Sequence, residues 1–235
     1  MEITSSAITR ICDEREIFEA LPLARARVLE LGCGNAAKTR IIASAGQVAS
    51  VLALEVDVRQ HGKNTALTDL PYVRFALGGA EQIPADDASF DIVFLFKSLH
   101  HVPLEKLTQA FAEIYRVLVP GGLVYISEPI FAGDYNEIMR LFHDEKMVRE
   151  AAFSATREAI QSGGFQMVEQ FFFKSLVRFR DFPQFEKNVI NATHTDHQLS
   201  PDVLAAVREK FSHYMTGEGA RFYAPHRVDL LRKPA

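Results

Sequence analysis

The chain has 235 residues, a formal net charge of −4, 48% apolar and 24% charged side chains and two cysteines. That length suits one α/β domain with a sizeable core, and the acidic balance argues against a nucleic-acid partner, which needs a clustered basic excess. No apolar run approaches the roughly 20 residues of a membrane span; the N-terminus lacks a basic-then-apolar leader; and Cys12 and Cys33 fit a reducing compartment, so a cytoplasmic protein without a membrane partner is expected.

In chain order, residues 5–21 read as an amphipathic helix on Ile8, Ile11, Ile17, Phe18 and Leu21. A short strand, Ala26–Leu31, stops at glycines, and a helix from Lys38 to Ala45 ends at Gly46. A second strand, Ser50–Leu54, closes on Glu55, and a short helix and Pro71 lead to a third near Tyr72–Leu77. Phe90–Phe96 is continuously apolar, as a central strand covered on both faces should be. Pro103–Leu118 carries Leu104, Leu107, Phe111, Ile114, Tyr115 and Leu118 at helical spacing. Pro120-Gly121-Gly122 is expected to stop that helix and turn the chain into a fifth strand, Leu123–Ser127. Beyond Pro129 the pattern predicts helices over 134–150 and, capped by Ser154, over 154–162. A Phe-rich strand over 165–180 follows, then a helix over 201–216 entered at Ser200-Pro201 and ended by Gly217, and a last strand over about 222–231. Arg178, Arg180, Arg227, Arg232 and Lys233 read as solvated strand edges. Alternating strands and helices predict a parallel sheet covered on both sides.

Glu30-Leu31-Gly32-Cys33-Gly34-Asn35-Ala36-Ala37 joins a strand to a helix. Glycines there let the backbone turn sharply and a ligand come close, and Gly32-x-Gly34-x-x-Ala37 also satisfies the dinucleotide fingerprint. The loop alone fits a dinucleotide, S-adenosylmethionine, or a ligand-free turn. Glu30, at the mouth of the loop, separates them: a carboxylate there repels a diphosphate and suits the ammonium and sulfonium of S-adenosylmethionine. Glu55, about 20 residues on, is placed to accept from ribose hydroxyls, with Asp57 as the alternative. Cys33 reads as a small filler.

Four stretches carry a family resemblance: Val28-Leu29-Glu30-Leu31-Gly32-Cys33-Gly34; Gly79-Ala80-Glu81-Gln82-Ile83-Pro84; Ser89-Phe90-Asp91-Ile92-Val93 with Leu99-His100-His101-Val102; and Arg116-Val117-Leu118-Val119-Pro120-Gly121-Gly122. In order and spacing, over about residues 22–130, they resemble class I S-adenosylmethionine-dependent methyltransferases of the ubiquinone/menaquinone-biosynthesis type. Gly163-Gly164-Phe165 is similar to that family's turn before the sixth strand. The resemblance implies an α/β, Rossmann-like, seven-stranded sheet with its last strand antiparallel and helices on both faces. It also implies S-adenosylmethionine as methyl donor, leaving S-adenosylhomocysteine. Carried over by position, Glu30, Gly32 and Gly34, with Cys33 and Asn35 of the same loop, would hold the methionine end. Glu55 would hold the ribose, Val56 the adenine face, Ala80 and Glu81 the adenine edge, and Phe96 and Lys97 would line the methyl group. Two positions depart from the pattern. The third glycine is Ala36, and the acid expected before Ala80-Glu81 is Gly79, a contact that Glu81 or a backbone carbonyl would have to replace.

In open α/β sheets ligands bind beyond the carboxyl ends of the parallel strands. The two long segments leaving that end, 129–152 and 181–220, are expected to form a helical lid that sets acceptor choice, with a core extension or a homodimer contact as the alternative. Phe131, Phe142, Phe153, Phe182, Phe185 and Phe211 would line an apolar pocket, favouring a small apolar or aromatic acceptor. A hydroxyl acceptor calls for a general base. Glu128 heads the candidates with His100 and His101, followed by Tyr135, His143, His194 and His197. His194-x-Asp196-His197 lacks the further ligands that zinc takes, and no metal is expected. An NAD(P)-dependent oxidoreductase and a non-catalytic S-adenosylmethionine-binding protein are the competing functions.

Overall fold

Strands that are apolar on both faces need a covering layer on each side, and the computed structural model has both. It describes all residues except 6, 46–47 and 192–197. After a one-turn helix α1 (Arg15–Phe18), strand and helix alternate: β1 (Arg27–Leu31), α2 (Ala37–Ala45), β2 (Ser50–Glu55), α3 (Val58–Thr65), β3 (Val73–Leu77), β4 (Phe90–Phe96), α4 (Leu107–Val117) and β5 (Leu118–Pro129). Then follow α5 (Asp134–Met139), α6 (Lys146–Gln161), β6 (Gln166–Phe179), α7 (Phe182–Phe185), α8 (Pro201–Ser212), the two-residue β7 (Met215–Thr216) and β8 (Gly219–Arg232). The sheet order is β3-β2-β1-β4-β5-β8-β6, with β7 hairpinned onto β8. The first five strands pair in parallel, and β8 inserts antiparallel between β5 and β6. The expected seven-stranded sheet with its last strand antiparallel is present, and β7 makes an eighth strand.

Side chains alternate across the pleat, so each strand feeds two cores. Leu29, Leu31, Val93, Leu95, Val124 and Ile126 face α4 and α6. Val28, Val51, Ile92, Phe94 and Tyr125 face α1 and α2. A third core lies past the carboxyl edge. The last pair of β5 with β8 is Pro129 with His226, whereas β6 and β8 stay paired out to Phe179 and Ala220. That overshoot, roughly 20 Å at strand rise, carries α5, α7 and α8 on a cluster of Ile138, Phe182, Phe185, Val207, Phe211 and Phe222.

Several local expectations are corrected. Residues 5–21 are not one helix: Cys12 N–H donates to Lys174 O (3.2 Å) and Lys174 N–H to Arg10 O (2.9 Å), so the segment pairs with the edge of β6 and only α1 is helical. Pro120-Gly121-Gly122 does not turn the chain. It is a bulge within β5, where the register with β4 shifts, and it is bracketed by Gly121 N–H to Lys233 O (3.0 Å) and Lys233 N–H to Gly122 O (2.9 Å). The stretch 134–150 breaks between α5 and α6, and Ser154 lies inside α6, whose entry is held instead by Asp144 accepting from Lys146 N–H (3.0 Å). α8 is capped by Ser200 as expected but stops at Ser212, before Gly217. Arg227 is no solvated edge residue: it is 3% exposed and donates to fully buried Asp229 at 2.8 Å.

Candidate active site

The β1–α2 loop is set by backbone geometry. Gly32 has φ +73°, and a Cβ there would lie 2.6 Å from Ser98 Cβ, because the chain after β4 packs directly on it. Ser98 Oγ closes that contact by donating to Leu31 O (2.7 Å). Gly34 N–H donates to Glu55 Oε2 (2.7 Å), while Val56 and Asp57 N–H both donate to Glu55 Oε1 (2.9 Å each). Glu55 thus spans the ends of β1 and β2. Asp57 has another task, capping α3 by accepting from Arg59 N–H (2.8 Å). Asn35 Oδ1 accepts from Ala37 N–H (3.2 Å) at the start of α2, and Ala36, which replaces the third glycine, adopts φ +61° and is fully buried. Cys33 is buried, and burial, followed by the charges of Glu30 and Glu55, pushes its thiol up to about 12, in keeping with an inert filler.

Glu30 is corrected. It shares the face of Val28, lies under the loop rather than at its mouth, and is 1% exposed. Thr39 Oγ1 in α2 donates to it at 2.6 Å. Burial raises its carboxyl to about 7 against the help of Thr39 and Lys38. At the neighbouring strand ends Val56 is exposed and Ala80 is buried. Glu81 folds its carboxylate into the space that a Cβ on Gly79 would need, so an acid occupies the place left by the missing one. Arg116 fixes this loop: it donates to Ile83 O (3.0 Å) and Ala85 O (2.8 Å) and pairs with Glu113, which accepts from Ile83 N–H (2.9 Å). Phe96 stacks on Phe94 (5.2 Å), with Lys38 Nζ 5.5 Å from its ring centre.

Lys97 (φ +55°) stands between two cavities. One, of about 350 Å³, is bounded by Ile11–Glu14, Lys38 and β6. The other, of about 390 Å³, lies between the sheet edge and the helices beyond it. Its walls include Ile130, Tyr135, Met139, Val177, Val189 and Pro225, and it ends at His100, His101, His143 and Glu145. Lys97 reaches water through these cavities, yet crowding by their walls lowers its pKa. None of the six expected phenylalanines lines this chamber. Phe182, Phe185 and Phe211 are consumed by the third core, against which Phe142 also packs. Phe131 lies under Arg140 (5.3 Å) and Phe153 under Arg227 (4.6 Å).

Glu128 is likewise corrected as a group offered to an acceptor. It is 2% exposed, and both its oxygens are engaged, accepting from Leu99 N–H (3.0 Å) and from His100 Nδ1–H. It therefore positions His100, whose Nε2 lies 3.4 Å from Glu145 Oε1. Burial pulls the His100 pKa down, but the two carboxylates outweigh it and hold it at about 9. Burial alone would raise Glu145; His100 and Arg149 hold it well below the usual carboxylate range. His101 is lowered by burial and by the His100 charge. Burial raises Tyr135 to about 12, which removes it as a base. His194 and His197 lie outside the described residues.

The sequence reading missed Glu145, Arg149, Ser175 and His226. Glu145 and Arg149 carried a visible signal, acid and base four apart on a helix, paired here at 2.6 Å. His226 and Ser175 (2.8 Å) meet only through the register of β6 on β8, which no local pattern shows.

Residues 29–126 match a methyltransferase domain model. An uncharacterized methyltransferase of Synechocystis sp. is 28% identical over 178 residues, 66% of this chain and 82% of that protein. A 24-methylenesterol C-methyltransferase of Arabidopsis thaliana is 36% identical over 107 residues, 43% of this chain but only 28% of its own length. The crystal structure of the YcgJ protein from Bacillus shares the fold, with a TM-score of 0.67, 16% identity, and 94% of this chain and 98% of that chain covered. Among the described residues no helix is long and apolar enough to cross a membrane. Residues 29–126 thus carry a methyltransferase domain, and the sheet order with its antiparallel β8 and the glycine loop joined to Glu55 support a class I methyltransferase with S-adenosylmethionine as its cofactor.

Proposed function

We propose that the chain methylates a small, largely apolar acceptor in the 390 Å³ chamber, with 129–152 and the described residues of 181–220 as its lid. The observation that carries this reading is a chamber with aliphatic walls and one polar end, adjoining Lys97 at the tip of β4. The cofactor, when bound, supplies a methyl group on a sulfonium. Gly32, Cys33, Gly34 and Asn35 receive its methionine end, with Glu30 setting the charge beneath them. Glu55 exchanges its backbone contacts for the ribose hydroxyls, Val56, Ala80 and Glu81 border the adenine, and Phe96 and Lys97 flank the reacting centre.

On the acceptor side, Glu128 holds His100 as a cation that orients the nucleophilic atom, and His101, whose pKa is lowered, takes its proton. The lid excludes water, and Tyr135, Met139 and Val177 align the apolar body. Similarity to a sterol C-methyltransferase supports an apolar acceptor, and the resemblance to ubiquinone/menaquinone-type enzymes supports an aromatic one.

A labelled-methyl screen over sterol, quinone-like and polar acceptors tests this. Transfer to apolar acceptors is expected, falling about a hundredfold in kcat for His100→Asn. S-adenosylhomocysteine, and not NADH, should raise the thermal midpoint. Transfer confined to strongly polar acceptors, or an undiminished His100→Asn, would overturn the reading.

A further inference from the structure

The polar end of the chamber holds more donors than proton removal needs. His100, His101 and Glu145 each bring one ligand atom, and the three atoms lie within 4.8 Å of one another. His100 Nε2 and Glu145 Oε1 are 3.4 Å apart. Two ligand atoms on one tetrahedral Zn²⁺, each about 2.0–2.1 Å from the ion, stand roughly 3.3–3.4 Å apart. His143 Nε2 lies 2.8 Å from the same Oε1 and borders this group without belonging to it.

The outer contacts have the form that metal ligands require. Glu128 takes the Nδ1–H of His100, which fixes the tautomer and turns Nε2 toward Glu145. Arg149 donates to the far oxygen of Glu145 at 2.6 Å, leaving Oε1 facing the imidazoles. Arg149 offsets the one carboxylate, so the affinity rests chiefly on two imidazole nitrogens, a donor set that suits zinc and its neighbours better than magnesium or calcium.

We infer that His100, His101 and Glu145, with a water as fourth ligand, form a divalent transition-metal site of the zinc class at the polar end of the acceptor chamber. Two donors come from the turn after β4 and one from the segment between α5 and α6, so an ion ties the lid to the sheet. It also takes the His101 lone pair that acceptor deprotonation uses, so the loaded protein is the inactive form. That consequence rests on the proposed function; the site itself does not.

Calorimetric titration of the metal-free full chain with Zn²⁺, and the visible spectrum of the protein loaded with Co²⁺ alone, test it. One Zn²⁺ per chain is expected, with a tetrahedral cobalt spectrum and affinity at least tenfold weaker in Glu145→Gln and in His101→Ala, whose exposed side chain can be removed without loss of fold. Absent binding, or binding unchanged in both variants, would overturn the site. Equimolar Zn²⁺ should abolish turnover and a chelator restore it. Turnover that persists with zinc bound would overturn the switch and leave the site standing. Zinc binding by a chain that methylates no acceptor at all would overturn the proposed function alone.

Discussion

The glycine loop and the imidazole cluster occupy the same edge of one sheet but are held by different means. On the donor side, backbone amides of Gly34, Val56 and Asp57 converge on Glu55, and the participants come from two short contiguous stretches. On the acceptor side, charged side chains from the turn after β4, the end of β5, the segment before α6, and α6 itself neutralise one another. A site built of backbone is sensitive to an added Cβ. A site built of buried charge is sensitive to a lost partner. The two halves should therefore fail in different ways.

The largest effect is expected next to the acceptor side. Arg227→Ala strips buried Asp229 of its ion pair and should cost roughly 3–5 kcal/mol in urea unfolding. A loss below about 1 kcal/mol would show that charge pairing does not govern this half. On the donor side, Gly32→Ala combines left-handed strain with a clash against Ser98. It should cost roughly 2–4 kcal/mol and remove S-adenosylhomocysteine binding by calorimetry. Gly217→Ala, with open space around it, should stay within about 0.5 kcal/mol. Equal losses at the two glycines would break the contrast.

Glu30 sharpens it further, being a buried charge under a backbone site. Its carboxyl titrates near 7 in the folded chain and near 4.5 when unfolded. Between those values the folded state holds the extra proton, so stability falls as pH rises through that window and is level on either side. Glu30→Gln does not titrate. It should match the parent near pH 4 and exceed it by at most about 3 kcal/mol at pH 8, read from paired unfolding curves. A constant gap between the two proteins at all pH values would place Glu30 in water.

The strands, their double-sided burial and the donor loop were legible in the residues alone, because apolar periodicity and a glycine constraint are properties of neighbouring residues. So was Glu55, whose position after an apolar run puts it at a strand end. The directions of the polar side chains and the lining of the chamber follow from packing. Glu30 faces Thr39 because β1 pleats toward α2, and the lid phenylalanines pack on one another because the overshooting β6–β8 ribbon gives them a surface. Residues 10–12 became an edge pairing because Lys174 offered free backbone groups. Glu145, Arg149 and His226 join the site through packing and strand register. Those are contacts between residues far apart in the chain, whose energy depends on being buried together and leaves no local pattern to read.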